Sequence, residues 1–129
     1  MINLTILGST GTIGVNTLDV VSRMAGKFNI FALTANFNVE VMYSQCLIWH
    51  PDYAVMVDEV AAESLRKRLI SQRPDIIVLS GTASLEFVSE NVKTDYLMAG
   101  IVGAAGLLPS LAAAKKGKRV LLANKEALV

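Results

Sequence analysis

Short apolar runs alternate along this chain with stretches in which apolar residues recur every three or four positions, the two periods of buried strands and half-buried helices. Leu4-Thr5-Ile6-Leu7 reads as a first strand, and after a glycine-rich turn Ile13, Leu18, Val21 and Met24 can form one stripe of a helix. Ile30 to Thr34 predicts a second strand and Val39 to Trp49 a second helix. His50-Pro51 ends that helix, because proline disfavours helical geometry in the residue before it. Tyr53 to Val57 is a third strand, and Asp58 is placed to cap a third helix on which Ala61, Leu65 and Leu69 recur every four residues. Arg66, Lys67 and Arg68 fall mostly on its other face and read as a solvated surface. Ile76-Ile77-Val78-Leu79 is the most apolar and β-branched run and is expected near the centre of a sheet, buried on both faces. A short helical patch around Leu85 to Val88 follows, then a strand at Tyr96 to Ala99, a helix from Leu107 to Lys116 ended by Gly117, and a strand at Val120 to Ala123.

Parallel strands need crossover connections, and helices that serve as crossovers cover both faces of the sheet. The alternation therefore predicts an α/β fold with a doubly wound, mostly parallel sheet, in a single domain over residues 1–129 without linker or repeat. Val120 to Val129 reads as a strand running into a further helix, so the domain is expected to continue past Val129.

Composition removes several alternatives. With 53% hydrophobic and 18% charged residues the chain is too apolar for disorder. Twelve basic residues nearly cancel eleven acidic ones, so neither nucleic acid nor an anionic membrane is expected as a partner. Tyr96 to Ala114 carries no charge, but Gly100, Gly103, Gly106 and Pro109 punctuate it as strand, turn and helix rather than a membrane span. Gly8, Gly11 and Gly14 interrupt the apolar N-terminus before a signal-peptide core could form, which suggests a cytoplasmic protein. The single cysteine, Cys46, has no internal disulfide partner and is expected to be a buried hydrophobe.

The candidate chemistry lies at strand ends. Gly8-Ser9-Thr10-Gly11-Thr12-Ile13-Gly14 follows a strand and opens a helix. The first two glycines would permit a tight turn and close approach of a diphosphate, the third would let helix and sheet pack closely, and the helix N-terminus would offer amide donors and partial positive charge. Ser9, Thr10 and Thr12 add hydroxyls that can reach phosphate oxygens or cap the helix. An NAD site places a carboxylate at the end of the second strand for the ribose 2′-hydroxyl. Here Ala35-Asn36-Phe37-Asn38 stands there with no acid before Glu40, a pattern that favours NADPH.

Two further stretches, Met98 to Gly106 and Leu122-Ala123-Asn124-Lys125-Glu126, fall at the carboxyl ends of strands, where doubly wound sheets bind ligands. Asn124, Lys125 and Glu126 can address the far end of a cofactor there, or Asn124 can simply begin a helix. His50 has no nearby Cys or His, and Asp58, Glu59 and Glu63 read as a cap and a solvated face. No catalytic residue and no metal site are therefore expected within this chain.

These blocks together, with Thr17-Leu18-Asp19-Val20-Val21 and Ala99 to Leu107, resemble the N-terminal domain of the 1-deoxy-D-xylulose 5-phosphate reductoisomerases over the whole chain. The resemblance implies a Rossmann-like, NADPH-binding domain of an oxidoreductase of non-mevalonate isoprenoid biosynthesis. That family isomerises and reduces 1-deoxy-D-xylulose 5-phosphate to 2-C-methyl-D-erythritol 4-phosphate with NADPH and Mg²⁺ or Mn²⁺, as a homodimer inhibited by fosmidomycin. It assigns Gly8, Thr10, Gly11, Thr12, Ile13 and Gly14 to the cofactor phosphates and their turn, Asn36, Phe37 and Asn38 to the adenosine end, Asn124 and Glu126 to NADPH, and Lys125 to the substrate. Members commonly carry Gly and then Lys or Arg at the positions of Asn36 and Phe37, where the basic group holds the 2′-phosphate; Phe37 can only stack or pack. The family's metal carboxylates lie beyond the position of Val129, so these 129 residues alone are expected to bind cofactor at best.

Two other readings share the glycine motif. One is another NADP reductase; the Tyr-x-x-x-Lys pair of short-chain reductases is absent, since Leu47, Val57 and Gly100 follow Tyr43, Tyr53 and Tyr96 at that spacing. The other is a non-catalytic nucleotide-sensing module.

Overall fold

The computed structural model describes residues 1–24, 26–100 and 104–122. Strands and helices alternate strictly: β1 (Ile2–Leu7), α1 (Thr12–Ser22), β2 (Phe28–Ala35), α2 (Val39–Trp49), β3 (Tyr53–Met56), α3 (Glu59–Leu69), β4 (Ile77–Ser80), α4 (Thr82–Glu90), β5 (Tyr96–Ala99), α5 (Ala104–Lys115) and β6 (Arg119–Leu122). Local signals set several of these boundaries. The Asn38 side chain accepts from the Val41 amide and starts α2, while His50, at φ 50°, turns left-handed and ends it. Asp58 caps α3 by accepting from the Ala61 amide at 2.9 Å. Gly117, at φ 78°, closes α5, where its amide donates to Ala114 and that of Lys118 to Ala113. The helical patch around Leu85 to Val88 is a nine-residue helix, α4.

The strands build one six-stranded sheet in the order β4-β3-β2-β1-β5-β6, parallel throughout. The chain moves outward from β1 to β4, then crosses back over to β5 and continues to β6. Right-handed crossovers in opposite directions place their helices on opposite faces. Accordingly Leu18 and Val21 of α1, Met42 and Cys46 of α2, and Leu65 and Leu69 of α3 share one core with Leu4, Ile6, Ile30 and Leu33. Leu85 and Val88 of α4 and Ala113 of α5 meet Leu7, Phe31, Val55 and Leu97 on the other face. Cys46 is fully buried, as expected of a free cysteine.

One sequence expectation is corrected here. The run Ile76 to Leu79 lies at an edge of the sheet, as β4, and Ile77 is 50% exposed. α3 covers the face that carries Ile76 and Val78, while on the other face Leu79 packs beside Leu85 and Val88 and Ile77 stays half exposed at the open edge. The basic run on α3 lies on the solvated face, as expected, with Arg66 and Lys67 exposed. Arg66 pairs with Glu63 at 2.5 Å and donates to the Val78 carbonyl at 3.0 Å, tying α3 to the edge strand. Arg68 pairs with Glu40 at 2.6 Å and stacks over Tyr43, tying α3 to α2. Among the described residues no helix is long and apolar enough to cross a membrane.

Candidate functional site

The order of strands reverses at β1, whose neighbours β2 and β5 send the chain to opposite faces, and the crevice at such a point is where these sheets receive ligands. The glycine turn stands there. Gly8 follows β1 at φ 77°, a conformation that side chains other than hydrogen rarely tolerate. Its amide donates to Thr34 Oγ1 at 3.0 Å, and the Ser9 amide donates to the Thr34 carbonyl at 2.8 Å, so β2 pins the turn. The Ser9 hydroxyl is buried and donates to that same carbonyl at 3.2 Å, which commits it to the turn rather than to a phosphate. From the α2 side, Gln45 Nε2 donates to the Ser9 carbonyl at 2.8 Å.

Gly11 is the N-cap of α1, and no side chain caps this helix. None of Ser9, Thr10 and Thr12 therefore takes the capping role that their residue types allowed, and the helix N-terminus is left with unpaired amides of the kind that bind anions. Gly14 is buried against the turn: a Cβ there would stand 2.5 Å from the Ser9 Cα and 2.7 Å from its carbonyl carbon. The third glycine of the motif thus serves close packing of helix on turn.

A cleft of about 390 Å³ opens at this end of the sheet, lined by Gly8, Thr10, Gly11, the Ala35 to Asn38 segment, Val57, Thr82, Leu85 and Gly100. Asn36, Phe37 and Asn38 are all exposed on its wall, with Phe37 at 73%. The Asn36 carbonyl accepts from the Asp58 amide at 3.0 Å, which fixes the segment to the β3–α3 connection. Glu40, the first acid after β2, is held by Arg68 and leaves the cleft wall without a committed carboxylate. Thr12 is exposed at the first turn of α1, while the Ile13 side chain turns away into an apolar groove beside Leu4 and Met98. Only the Ile13 backbone remains for a phosphate.

The structure adds residues that the sequence reading did not single out. Thr82 and Leu85 line the cleft from α4, whose N-cap, Gly81 at φ 86°, also carries no side-chain cap. Ser80-Gly81-Thr82 after a strand was the available signal, a weaker echo of the turn after β1. Gly100 belongs to the glycine-rich stretch after β5, and a Cβ on it would meet the Leu7 carbonyl oxygen at 2.8 Å. Its small size serves the approach of two strand ends. Asn124, Lys125 and Glu126 lie outside the described residues. Among the described residues no group of three His, Cys, Asp or Glu side chains could hold a metal ion.

A doubly wound parallel sheet, with a glycine turn and an uncapped helix N-terminus facing a cleft at its switch point, defines the Rossmann-like class of α/β domain. Within that class the chain belongs to the 1-deoxy-D-xylulose 5-phosphate reductoisomerase family, whose model matches residues 4–129. It is 56% identical over 129 residues to the enzyme of that name from Nitrosococcus oceani, covering 100% of this chain and 33% of that protein. It is 57% identical over 127 residues to the one from Nitrosomonas europaea, covering 98% of this chain and 31% of that protein. A crystal structure of DOX-P reductoisomerase in complex with NADPH, fosmidomycin and magnesium superposes with a TM-score of 0.92 at 37% identity, covering 99% of this chain and 31% of that one. The Zymomonas mobilis enzyme in complex with NADPH gives 0.88 at 36% identity, covering 98% and 33%. The chain spans about a third of the length of the curated relatives it matches.

Proposed function

We propose that residues 1–129 form the NADPH-binding domain of a cytoplasmic, homodimeric reductoisomerase that converts 1-deoxy-D-xylulose 5-phosphate to 2-C-methyl-D-erythritol 4-phosphate. The observation that carries the reading is the pairing of an uncapped α1 N-terminus with a cleft wall, Asn36 to Asn38, that presents no free carboxylate. It stands in a chain 37% identical to a protein whose crystal structure contains NADPH.

The donors fit the group. The turn from Gly8 to Gly11 and the first amides of α1, from Thr12 to Gly14, would hold the diphosphate, with the Thr10 and Thr12 hydroxyls beside them. Asn36 and Asn38 would meet the adenosine end, and Phe37 offers a flat apolar face to the adenine in place of a basic contact to the 2′-phosphate. Bound NADPH supplies a hydride for a substrate carbonyl. Asn124 and Glu126 would contact the cofactor nearer its reacting end, and Lys125 would reach the substrate, where a positive charge can steady a developing oxyanion or hold a phosphate. The divalent metal, Mg²⁺ or Mn²⁺, belongs to the part of the enzyme outside these residues.

The reading is tested by calorimetric titration of the folded 129-residue protein with NADPH and, in parallel, NADH. Tighter binding of NADPH is expected, and equal or absent binding of both would remove the assignment of the cleft. Mixed with 1-deoxy-D-xylulose 5-phosphate, NADPH and Mg²⁺, these residues alone are expected to give no turnover; measurable turnover would overturn the placement of the metal site elsewhere.

A further inference from the structure

We propose that Gln45 is a positioning residue for the diphosphate: by holding the Ser9 carbonyl it turns the Thr10 amide outward, toward the cleft. The inference rests on the cofactor reading above.

Gln45 lies in the middle of α2, 8% exposed, and its Nε2 donates to the Ser9 carbonyl oxygen at 2.8 Å. A carbonyl oxygen only accepts, so the contact itself sets which end of the amide faces the turn. The Ser9–Thr10 peptide is trans, so the Thr10 N–H points opposite to the Ser9 carbonyl. With the carbonyl drawn toward α2, that N–H faces away from the helix. Thr10 lines the cleft, and among the described residues nothing accepts a hydrogen bond from its amide.

The other end of the same side chain argues for position over stability. Among the described residues, Gln45 Oε1 is buried without a hydrogen-bond partner. An orphaned buried acceptor is costly, and an unbranched apolar side chain of the same length would avoid that cost while packing beside Met42 and Cys46. What such a side chain could not do is fix a peptide 36 residues away in sequence. Because Asn38 begins the same helix and lines the adenosine end of the cleft, α2 holds the two halves of the site in register.

The test compares wild type with Gln45→Met and Gln45→Glu in the protein expressed from its complete reading frame, titrated with NADPH and with adenosine 2′-monophosphate, which lacks the diphosphate. Losing the prop in Gln45→Met should weaken NADPH about tenfold and leave adenosine 2′-monophosphate binding nearly unchanged, with a fall in melting temperature no larger than the loss of one buried hydrogen bond gives. Gln45→Glu sets a carboxylate against the Ser9 carbonyl and should weaken NADPH further. Wild-type NADPH affinity in Gln45→Met overturns the inference, and so does a joint fall of both ligands with a large drop in melting temperature, which would make Gln45 a structural residue only. A folded wild type that binds neither ligand refutes the cofactor reading, and this inference with it, before any substitution is made.

Discussion

Gly14 sits so close beneath Ser9 that a Cβ would come within 2.5 Å of the Ser9 Cα. Both partners in this contact are backbone, one in α1 and the other in the turn that the helix carries, so no side-chain rotation can relieve it. Gly14→Ala must push the helix away from the turn. Overpacking of this kind costs about 1–3 kcal/mol. We expect a loss of that size in urea unfolding, together with loss of NADPH binding by calorimetry; unchanged stability would mean that the turn yields more easily than the contact implies.

Phe37 is 73% exposed on the cleft wall, so its replacement disturbs no core. Phe37→Arg should restore a cation for the 2′-phosphate. NADPH is expected to bind about tenfold more tightly relative to NADH, with stability within about 0.5 kcal/mol of wild type. An unaltered ratio of the two dissociation constants would place the 2′-phosphate away from this segment.

Arg66 reaches from α3 to the Val78 carbonyl on the edge strand β4. In Arg66→Met the aliphatic stem remains and the charged donor is lost, for about 1–2 kcal/mol. Hydrogen exchange should accelerate in β4 more than in β1 or β2, because an edge strand has neighbours to hold it on one side only. Uniform acceleration through the sheet would show that the contact supports global rather than local stability.

Burial pushes the Cys46 thiol up from its ordinary 9.0 to about 12. Between those values the unfolded chain has released a proton that the folded chain keeps. Stability from this residue is therefore intact below pH 9.0 and is lost as pH rises toward about 12, with a slope of at most about 1.4 kcal/mol per unit. Cys46→Ala should flatten the dependence between pH 8 and pH 10 measured by urea unfolding, and the native wild-type thiol should resist alkylation at pH 8. Rapid alkylation of the folded protein would contradict the burial of this side chain.

Much of the fold was legible because its determinants are local. Hydrophobic period separated strand from helix, and α2 runs over the residues the pattern marked, since His50-Pro51 is a signal read from its immediate neighbours. The glycine turn was legible for the same reason: a strand, a left-handed Gly8 and a helix start lie within a few consecutive residues. Family membership was legible from ordered blocks along the chain, and the match over residues 4–129 bears it out.

The sequence by itself determined the kind of each element, most of its apolar buried face and the position of the glycine turn, because each depends on residue type and near neighbours. Tertiary structure alone decided who stands beside whom. A run such as Ile76 to Leu79 reports that it is covered but not whether strands flank it on both sides, and the crossover from β4 back to β5 put it at the edge. Arg66 meeting Val78, Thr82 entering the cleft and Gln45 holding Ser9 are contacts made by packing whole elements together. No periodicity records them, because the distance along the chain between two such residues carries no information about their distance in space until the sheet order is set.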